Sequence, residues 1–160
     1  MKTLVVYYSR TGNTRIAAEA LAVRLGADLE ELHEDRDRSG LLGYLGAARE
    51  AMMRSDTVLL ATQRNPATYD LVILAQPVWA FTAVPAMRMY VQQHLENIRK
   101  VALVATQDGA GAKQTFAAME EMLGQPPIAT LVLNSKIIRN GQMDPALGDF
   151  IARIQDRHQI

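Results

Sequence analysis

The chain has 160 residues with 17 basic and 17 acidic side chains, so its formal net charge is zero, and no basic stripe suggests nucleic-acid binding. It has no cysteine, which excludes disulfides, thiolate nucleophiles, iron–sulfur clusters and thiolate zinc sites, and its three histidines lack a metal-ligand spacing. No apolar run approaches the roughly 18 residues of a membrane helix and no signal-peptide pattern is present, so we expect one cytoplasmic domain at residues 1–160, without a membrane segment or a metal.

The first predicted strand covers residues 3–6 and leads into a turn of hydroxyl and amide side chains, which a helix at residues 15–25 follows. A helix start carries unpaired backbone N–H groups and the positive end of the helix dipole, so this turn favours a bound phosphate. The phosphate loops of nucleoside triphosphatases and of dinucleotide-binding proteins are both absent, which indicates the terminal phosphate of a mononucleotide. The alternative is a plain helix cap formed by Thr11 or Asn13. The side chains of this turn that can donate hydrogen bonds to a phosphate are Ser9, Thr11, Asn13 and Thr14.

The segment after the first helix gives weaker signals. Residues 27–33 predict a second strand at the edge of the sheet, and residues 34–38 predict a solvated charged turn. Apolar residues recur at helical spacing between Gly40 and Arg54, which predicts an amphipathic helix. Residues 57–68 are longer than a tight connection requires. They either cover the edge of a bound ligand or pack on the body of the protein, and we favour packing.

A continuous apolar run at residues 69–76 predicts a third strand that is buried on both faces. The following loop, residues 77–85, has a proline at each end and contains the only Trp of the chain. Trp79 either faces a ligand or simply caps the core. A helical pattern then runs through His94.

The fourth predicted strand, residues 100–106, ends in a loop that contains Gly109 and Gly111. Because glycine has no Cβ, this loop allows backbone amides to approach a planar ligand closely. The loops after the first, third and fourth strands meet at the carboxyl edge of a parallel sheet, which is where open α/β sheets bind ligands.

The last third of the chain completes an alternating pattern of strands and helices. We predict a helix at residues 111–124, the fifth strand within residues 128–138, a turn at Asn140, and a final helix from Asp144 toward the end. Five strands that alternate with helices predict an α/β fold with a doubly wound five-stranded parallel sheet.

These motifs resemble those of flavodoxin-like FMN proteins over residues 1–157. Residues 9–14 are similar to the phosphate loop of that family, and residues 70–79 resemble its third strand and the aromatic loop beside the isoalloxazine ring. The resemblance implies the strand order 2-1-3-4-5 and FMN as the cofactor. It implies a phosphate site at Ser9, Arg10, Thr11, Gly12, Asn13 and Thr14. It also implies ring contacts from Pro77, Val78, Trp79, Ala80, Phe81, Thr82, Thr106, Gln107, Asp108, Gly109 and Gly111.

The chain departs from this family in two respects. Flavodoxins that carry electrons are typically strongly acidic and dock through that field, whereas this chain is neutral and has Arg10 in the phosphate loop itself. Arg10 either pairs with the phosphate or is a solvated loop residue. The third loop also lacks an aromatic residue, so one face of the ring is open unless Tyr44 or another side chain covers it.

Three functions are compatible with the sequence. The first is a low-potential electron carrier that exchanges electrons with a reductase and an acceptor protein, needs no catalytic side chain and is a monomer or weak dimer. The second is an FMN-dependent NAD(P)H or quinone oxidoreductase, which the neutral charge and the missing aromatic favour. The third is a regulatory α/β module without flavin. It is disfavoured because the first strand ends in Tyr8 and Ser9 and not in an acidic cluster. We favour the carrier.

Overall fold

The computed structural model describes residues 1–35 and 57–158. Its centre is a sheet of five parallel strands in the order β2-β1-β3-β4-β5, which confirms the predicted fold class and strand order. The predicted helix at residues 40–54, with Tyr44, lies outside the described residues. The strands are β1 Thr3–Tyr7, β2 Asp28–Glu31, β3 Leu71–Pro77, β4 Val101–Gln107 and β5 Thr130–Asn134.

Helices flank the sheet on both faces. The described helices are α1 Asn13–Leu25, α2 Pro85–His94, α3 Ala112–Leu123, α4 Ser135–Arg139 and α5 Asp144–His158, with short 3₁₀ turns at Pro66–Thr68 and Leu95–Asn97. No helix in residues 1–35 and 57–158 has the length and apolar character needed to span a membrane.

The fifth strand lies within the segment in which we predicted it, and a short helix that we did not predict follows it. Only residues 130–134 are extended, and residues 135–139 form α4. The change occurs because Asn134 adopts an extended conformation while its Oδ1 accepts a hydrogen bond from the Lys136 N–H at 2.8 Å, which caps a new helix. The apolar residues after Asn134 therefore follow a helical and not a strand period.

Two apolar layers hold the helices to the sheet. Because side chains alternate along each strand, Val5 and Ile73 face one side and pack with α1 and α5, whereas Leu4 and Leu74 face the other and pack with α2 and α3. Every residue of β1 is buried. Burial on both faces explains why the central strands are continuously apolar.

Residues 57–64 pack against the end of β2. The Leu60 N–H donates to the His33 carbonyl at 2.8 Å, and the Asp35 N–H donates to the Val58 carbonyl at 2.9 Å. The buried carboxylate of Glu30 accepts hydrogen bonds from the backbone N–H groups of Gln63 and Arg64 at 3.0 and 2.7 Å. This segment thus packs on the body of the protein, as we favoured from the sequence.

The ring of His94 lies against the fully buried ring of Tyr90, with 4.6 Å between the ring centroids. Burial lowers the pKa of His94 because it disfavours the charged form, while the negative charge of Glu30 acts in the opposite direction. The folded protein therefore holds His94 in its neutral form more strongly than the unfolded chain does.

We predict that protonation of His94 destabilises the fold. Its folded pKa lies below its unfolded value of about 6.5, so the unfolded chain binds more protons and the free energy of unfolding decreases as the pH falls below that value. The measurement is urea unfolding at several pH values between about 7 and 5. His94→Gln should flatten this pH dependence. An identical pH dependence in both proteins would contradict the prediction.

Candidate functional site

Three loops lie at the carboxyl edge of the sheet. The first, residues 8–12, joins β1 to α1; the second, residues 78–84, joins β3 to α2; and the third, residues 108–111, joins β4 to α3. Because β3 lies between β1 and β4, the second loop lies between the other two. The Tyr8 N–H donates to the Ala75 carbonyl at 3.1 Å, and the Val78 N–H donates to the Thr106 carbonyl at 2.9 Å. The hydrogen bonding between strands therefore continues into the first residue of the first and second loops. The structure therefore brings the predicted site residues to one edge.

The first loop presents unpaired backbone donors at the start of α1. Gly12 has a φ of 93° directly before the helix, a conformation that glycine adopts without strain. Among the described residues, no atom accepts a hydrogen bond from the backbone N–H of Gly12, Asn13 or Thr14. The cap through Thr11 or Asn13 that we considered is not formed, and Ser9 Oγ instead accepts from the Arg15 N–H at 3.2 Å. These free donors at the positive end of a helix dipole can bind an anion.

The two threonines of this loop have different environments. Thr11 is exposed, whereas Thr14 is buried and its Oγ1 lies 2.8 Å from Oγ1 of the buried Thr106 at the end of β4. This buried hydrogen bond ties the first turn of α1 to the base of the third loop. The sequence did not predict the pair, because its members are far apart in the chain.

Arg10 in the first loop and Arg15 in the first turn of α1 have separate partners. The guanidinium of Arg10 lies 5.8 Å from the centre of the Trp79 ring, within the range of a cation–π interaction. Arg15 forms an ion pair with Glu31 at the end of β2, and the same carboxylate lies 3.7 Å from Nε2 of His33. Burial and the neighbouring Glu31 both raise the pKa of Tyr7. The positive charge of Arg10 thus lies close to the aromatic side chain of the second loop.

The second loop contains a tight turn with an unusual backbone. The Thr82 N–H donates to the Trp79 carbonyl at 3.3 Å, and the two central residues, Ala80 and Phe81, have φ values of 48° and 60°. Positive φ at both central positions is typical of a type I′ turn, where asparagine and glycine are preferred. Each non-glycine residue in this region costs on the order of 1–3 kcal/mol, so the surrounding structure must hold the turn in place.

Buried contacts fix both ends of this turn. Trp79 is half-buried, packs on the apolar layer of α2 and α3, and meets the Tyr8 ring edge-on with 5.6 Å between the centroids. The buried Gln76 accepts a hydrogen bond from the Val84 N–H at 2.8 Å through its Oε1. Trp79 therefore contacts the core and also remains partly accessible from the loop side.

The third loop is tied to β4 and β5. Oε1 of Gln107 accepts from the Ala112 N–H at 3.1 Å, which caps α3, and Nδ2 of Asn134 donates to the Asp108 carbonyl at 3.2 Å. The Asp108 carboxylate also lies 4.0 Å from the guanidinium of Arg139. Asn134 and Arg139 were not among the predicted site residues, although Asn134 ends β5 and Arg139 follows it, which places both at the same edge.

A separate cavity of about 290 Å³ lies near the start of β5, away from this edge. It contains none of the predicted site residues. The residues that line it are Pro127, Ile128, Ala129, Thr130, Arg153, Asp156 and Arg157.

We predict that the Thr14–Thr106 pair stabilises the protein without any ligand. Thr14→Val should lower the free energy of unfolding by about 1–3 kcal/mol, because it leaves the buried Thr106 hydroxyl without a partner. Thr11→Val, at an exposed position, should change it by less than about 0.5 kcal/mol. Chemical unfolding of the ligand-free protein measures both changes in the free energy of unfolding. When Thr106→Val is added to Thr14→Val in a double-mutant cycle, part of the lost stability should be restored. Equal losses of stability in Thr14→Val and Thr11→Val would contradict the prediction.

Comparison with known proteins supports the fold. No family model matches the chain, and no curated protein sequence matches it significantly. A flavoprotein from Lactobacillus acidophilus, solved in complex with FMN, superposes with a TM-score of 0.69 at 19% identity, covering 87% of this chain and 97% of that one. A protein from Bacteroides eggerthii assigned as a flavoprotein gives 0.72 at 22% identity, covering 91% and 97%. A flavodoxin from Streptococcus pneumoniae TIGR4 gives 0.55 at 15% identity, covering 98% and 99%. The chain therefore has the flavodoxin-like fold.

Proposed function

We propose that the chain binds FMN at the carboxyl edge of its sheet and carries electrons between redox partner proteins. The observation that supports this most directly is the start of α1. There the N–H groups of Gly12, Asn13 and Thr14 have no acceptor within the described part of the chain, and a half-buried Trp lies in the neighbouring loop. The first feature fits a phosphate and the second fits a planar ring.

The phosphate half of the site relies on backbone donors. A phosphate at the N-terminus of the 13-residue helix α1 would accept hydrogen bonds from these amides and interact with the positive end of the dipole. The exposed Thr11 hydroxyl can add a further donor. Arg10, already beside Trp79, is close to both halves and adds positive charge. Thr14 would act mainly by fixing the helix start through Thr106.

The ring half of the site relies on the second and third loops. Trp79 and Phe81 supply aromatic surface in the second loop, and the exposed Gly109 leaves the third loop open to close approach. The residues present therefore fit FMN. The complex of the Lactobacillus acidophilus flavoprotein with FMN, on the same fold, supports the same cofactor here.

Bound FMN would supply one-electron and two-electron redox chemistry. The protein's part would be to bind the phosphate, orient the ring and keep water from one side of it. An electron carrier needs no side chain that gains or loses a proton. We propose a reductase and an acceptor protein as its partners, a monomer or weak dimer as its state, and the cytoplasm as its location.

The alternative is an FMN-dependent NAD(P)H or quinone oxidoreductase. The zero net charge favours it, because a chain without an acidic field is less suited to electrostatic docking on a basic reductase. The third loop also lacks an aromatic side chain that would exclude a second planar substrate. The two functions share the same FMN site and differ in the source of the electrons.

We predict that the phosphate contributes strongly to cofactor affinity. Riboflavin, which has the same ring but no phosphate, should bind at least ~10-fold more weakly than FMN, because hydrogen bonds to a charged group contribute about 1.5–3 kcal/mol. Fluorescence titration of the apo-protein with each compound gives both dissociation constants. Comparable affinities would contradict a phosphate site at the start of α1.

We predict that the pure protein does not oxidise NADPH at an enzymatic rate. With FMN bound and a quinone present, turnover should stay far below ~1 s⁻¹ until a separate reductase is added, because a carrier receives its electrons from a protein. Absorption at 340 nm follows the consumption of NADPH. Steady turnover by the pure protein at ~1 s⁻¹ or faster would reject the carrier and support the oxidoreductase.

A further inference from the structure

The cavity near the start of β5 is lined by the entry to this strand and by α5. Residues 127–130 contribute one part of the lining, and three charged side chains of α5, Arg153, Asp156 and Arg157, contribute the other. The helix is fixed at this point because its Ile154 is fully buried in the apolar layer between α5 and the sheet. At about 290 Å³ the cavity has room for a small molecule, and no residue of the proposed FMN site lines it.

Two arginines of α5 line the cavity without a carboxylate partner. Arg153 and Arg157 are four residues apart, so they lie on the same face of the helix. Nε of Arg153 donates to the Asp149 carbonyl at 3.3 Å, and within residues 1–35 and 57–158 neither guanidinium forms an ion pair. Like charges at this spacing disfavour a helix slightly. An anion that both guanidiniums contact would remove this repulsion.

The helix dipole accounts for only one of these two arginines. Arg157 lies in the last turn of α5, which ends at His158, and a positive charge there interacts favourably with the negative end of the dipole. The effect falls off within the last turn, and Arg153 lies more than one turn from the helix end. Stabilisation of the helix end therefore does not explain why Arg153 also lines the cavity.

The open edge of the sheet adds a backbone donor to the lining. β5 pairs only with β4, and the Leu103 N–H donates to the Ala129 carbonyl at 3.0 Å. Because the backbone groups of successive strand residues point to opposite sides, the N–H of Thr130 points away from β4. It has no acceptor in the described part of the chain. The Thr130 hydroxyl can act as a second donor.

We propose that this cavity binds the oxyanion of a small molecule, either a carboxylate or a phosphate. Guanidinium groups bind both kinds of oxyanion through paired N–H donors, and Thr130 adds donors of its own. Asp156 offsets one of the two positive charges in the lining, so one is in excess. Its carboxylate can also accept a hydrogen bond from a hydroxyl or amino group of the same ligand. This site is separate from the proposed FMN site, which lies at the carboxyl ends of the strands.

The experiment is titration of the 160-residue chain with sodium phosphate and, separately, with sodium citrate. Amide chemical shifts measured by NMR at a pH of about 7 and constant ionic strength locate each bound anion. We expect saturable shifts at Thr130 and at residues 153–157. A phosphate at the start of α1 would shift the amides of Gly12, Asn13 and Thr14 instead, so binding at the two sites is distinguishable.

Substitutions of the charged lining residues test their roles. Arg153→Gln and Arg157→Gln should each weaken anion binding by about 3- to 10-fold, and both together should abolish saturation. Asp156→Asn should strengthen binding by about 2- to 5-fold, because it removes a repulsive charge. The matched control is Arg99→Gln, which removes the same charge from an exposed arginine that does not line the cavity. Its dissociation constant should stay within about twofold of the wild type.

Three results would overturn the inference: wild-type shifts at Thr130 that grow linearly with anion concentration, no shifts there at all, or equal losses of affinity in Arg99→Gln and Arg153→Gln. Saturable binding of citrate alone would support it and identify the ligand as a carboxylate, and binding of phosphate alone would identify a phosphate. The substituted side chains are all exposed, so the shifts of the central sheet should remain those of the wild type. The wild-type titration tests the site even where a variant fails to fold.

Discussion

The parallel pairing of β1, β3 and β4 is the constraint on which the site depends. Parallel strands point the same way, so each of them delivers its following loop to the same edge, and the strand order places the loop of β3 between the other two. Each strand pair is held by backbone hydrogen bonds, and the buried strands are apolar on both faces. The loops can therefore vary in sequence without changing where they meet.

A small number of buried polar contacts converts this proximity into a fixed geometry. The Thr14–Thr106 hydrogen bond joins the first turn of α1 to the end of β4, and the contact of Gln76 with the Val84 N–H anchors the second loop where α2 begins. Because an unpaired buried polar group costs free energy, each of these contacts resists movement of its loop. They provide the rigid frame that a turn with two strained residues requires.

The charges at this edge of the sheet differ from those of an electron carrier that long-range electrostatic attraction guides to its partner. The chain has no net charge, Arg10 lies beside Trp79, and Arg15 is neutralised by Glu31. Without a long-range field, association with a partner would depend on short-range contacts at the rim, where Phe81 exposes apolar surface. The proposed carrier and oxidoreductase functions share one fold and one site, so a turnover measurement is needed to distinguish them.

The sequence by itself determined the five strands, their parallel arrangement and the position of the three loops, because apolar runs and helix-start signals are local and their spacing is regular. The strand order came from the resemblance to a known family and not from these local patterns. The sequence placed the fifth strand correctly within residues 128–138 but did not reveal α4, since the cap at Asn134 was not recognised as a helix start. Only the tertiary structure decided that Thr14 faces Thr106 and that Phe81 lies on Gly111. These contacts join residues far apart in the chain, and they depend on χ angles and on positive φ values at Ala80 and Phe81, to which no local pattern in the sequence points.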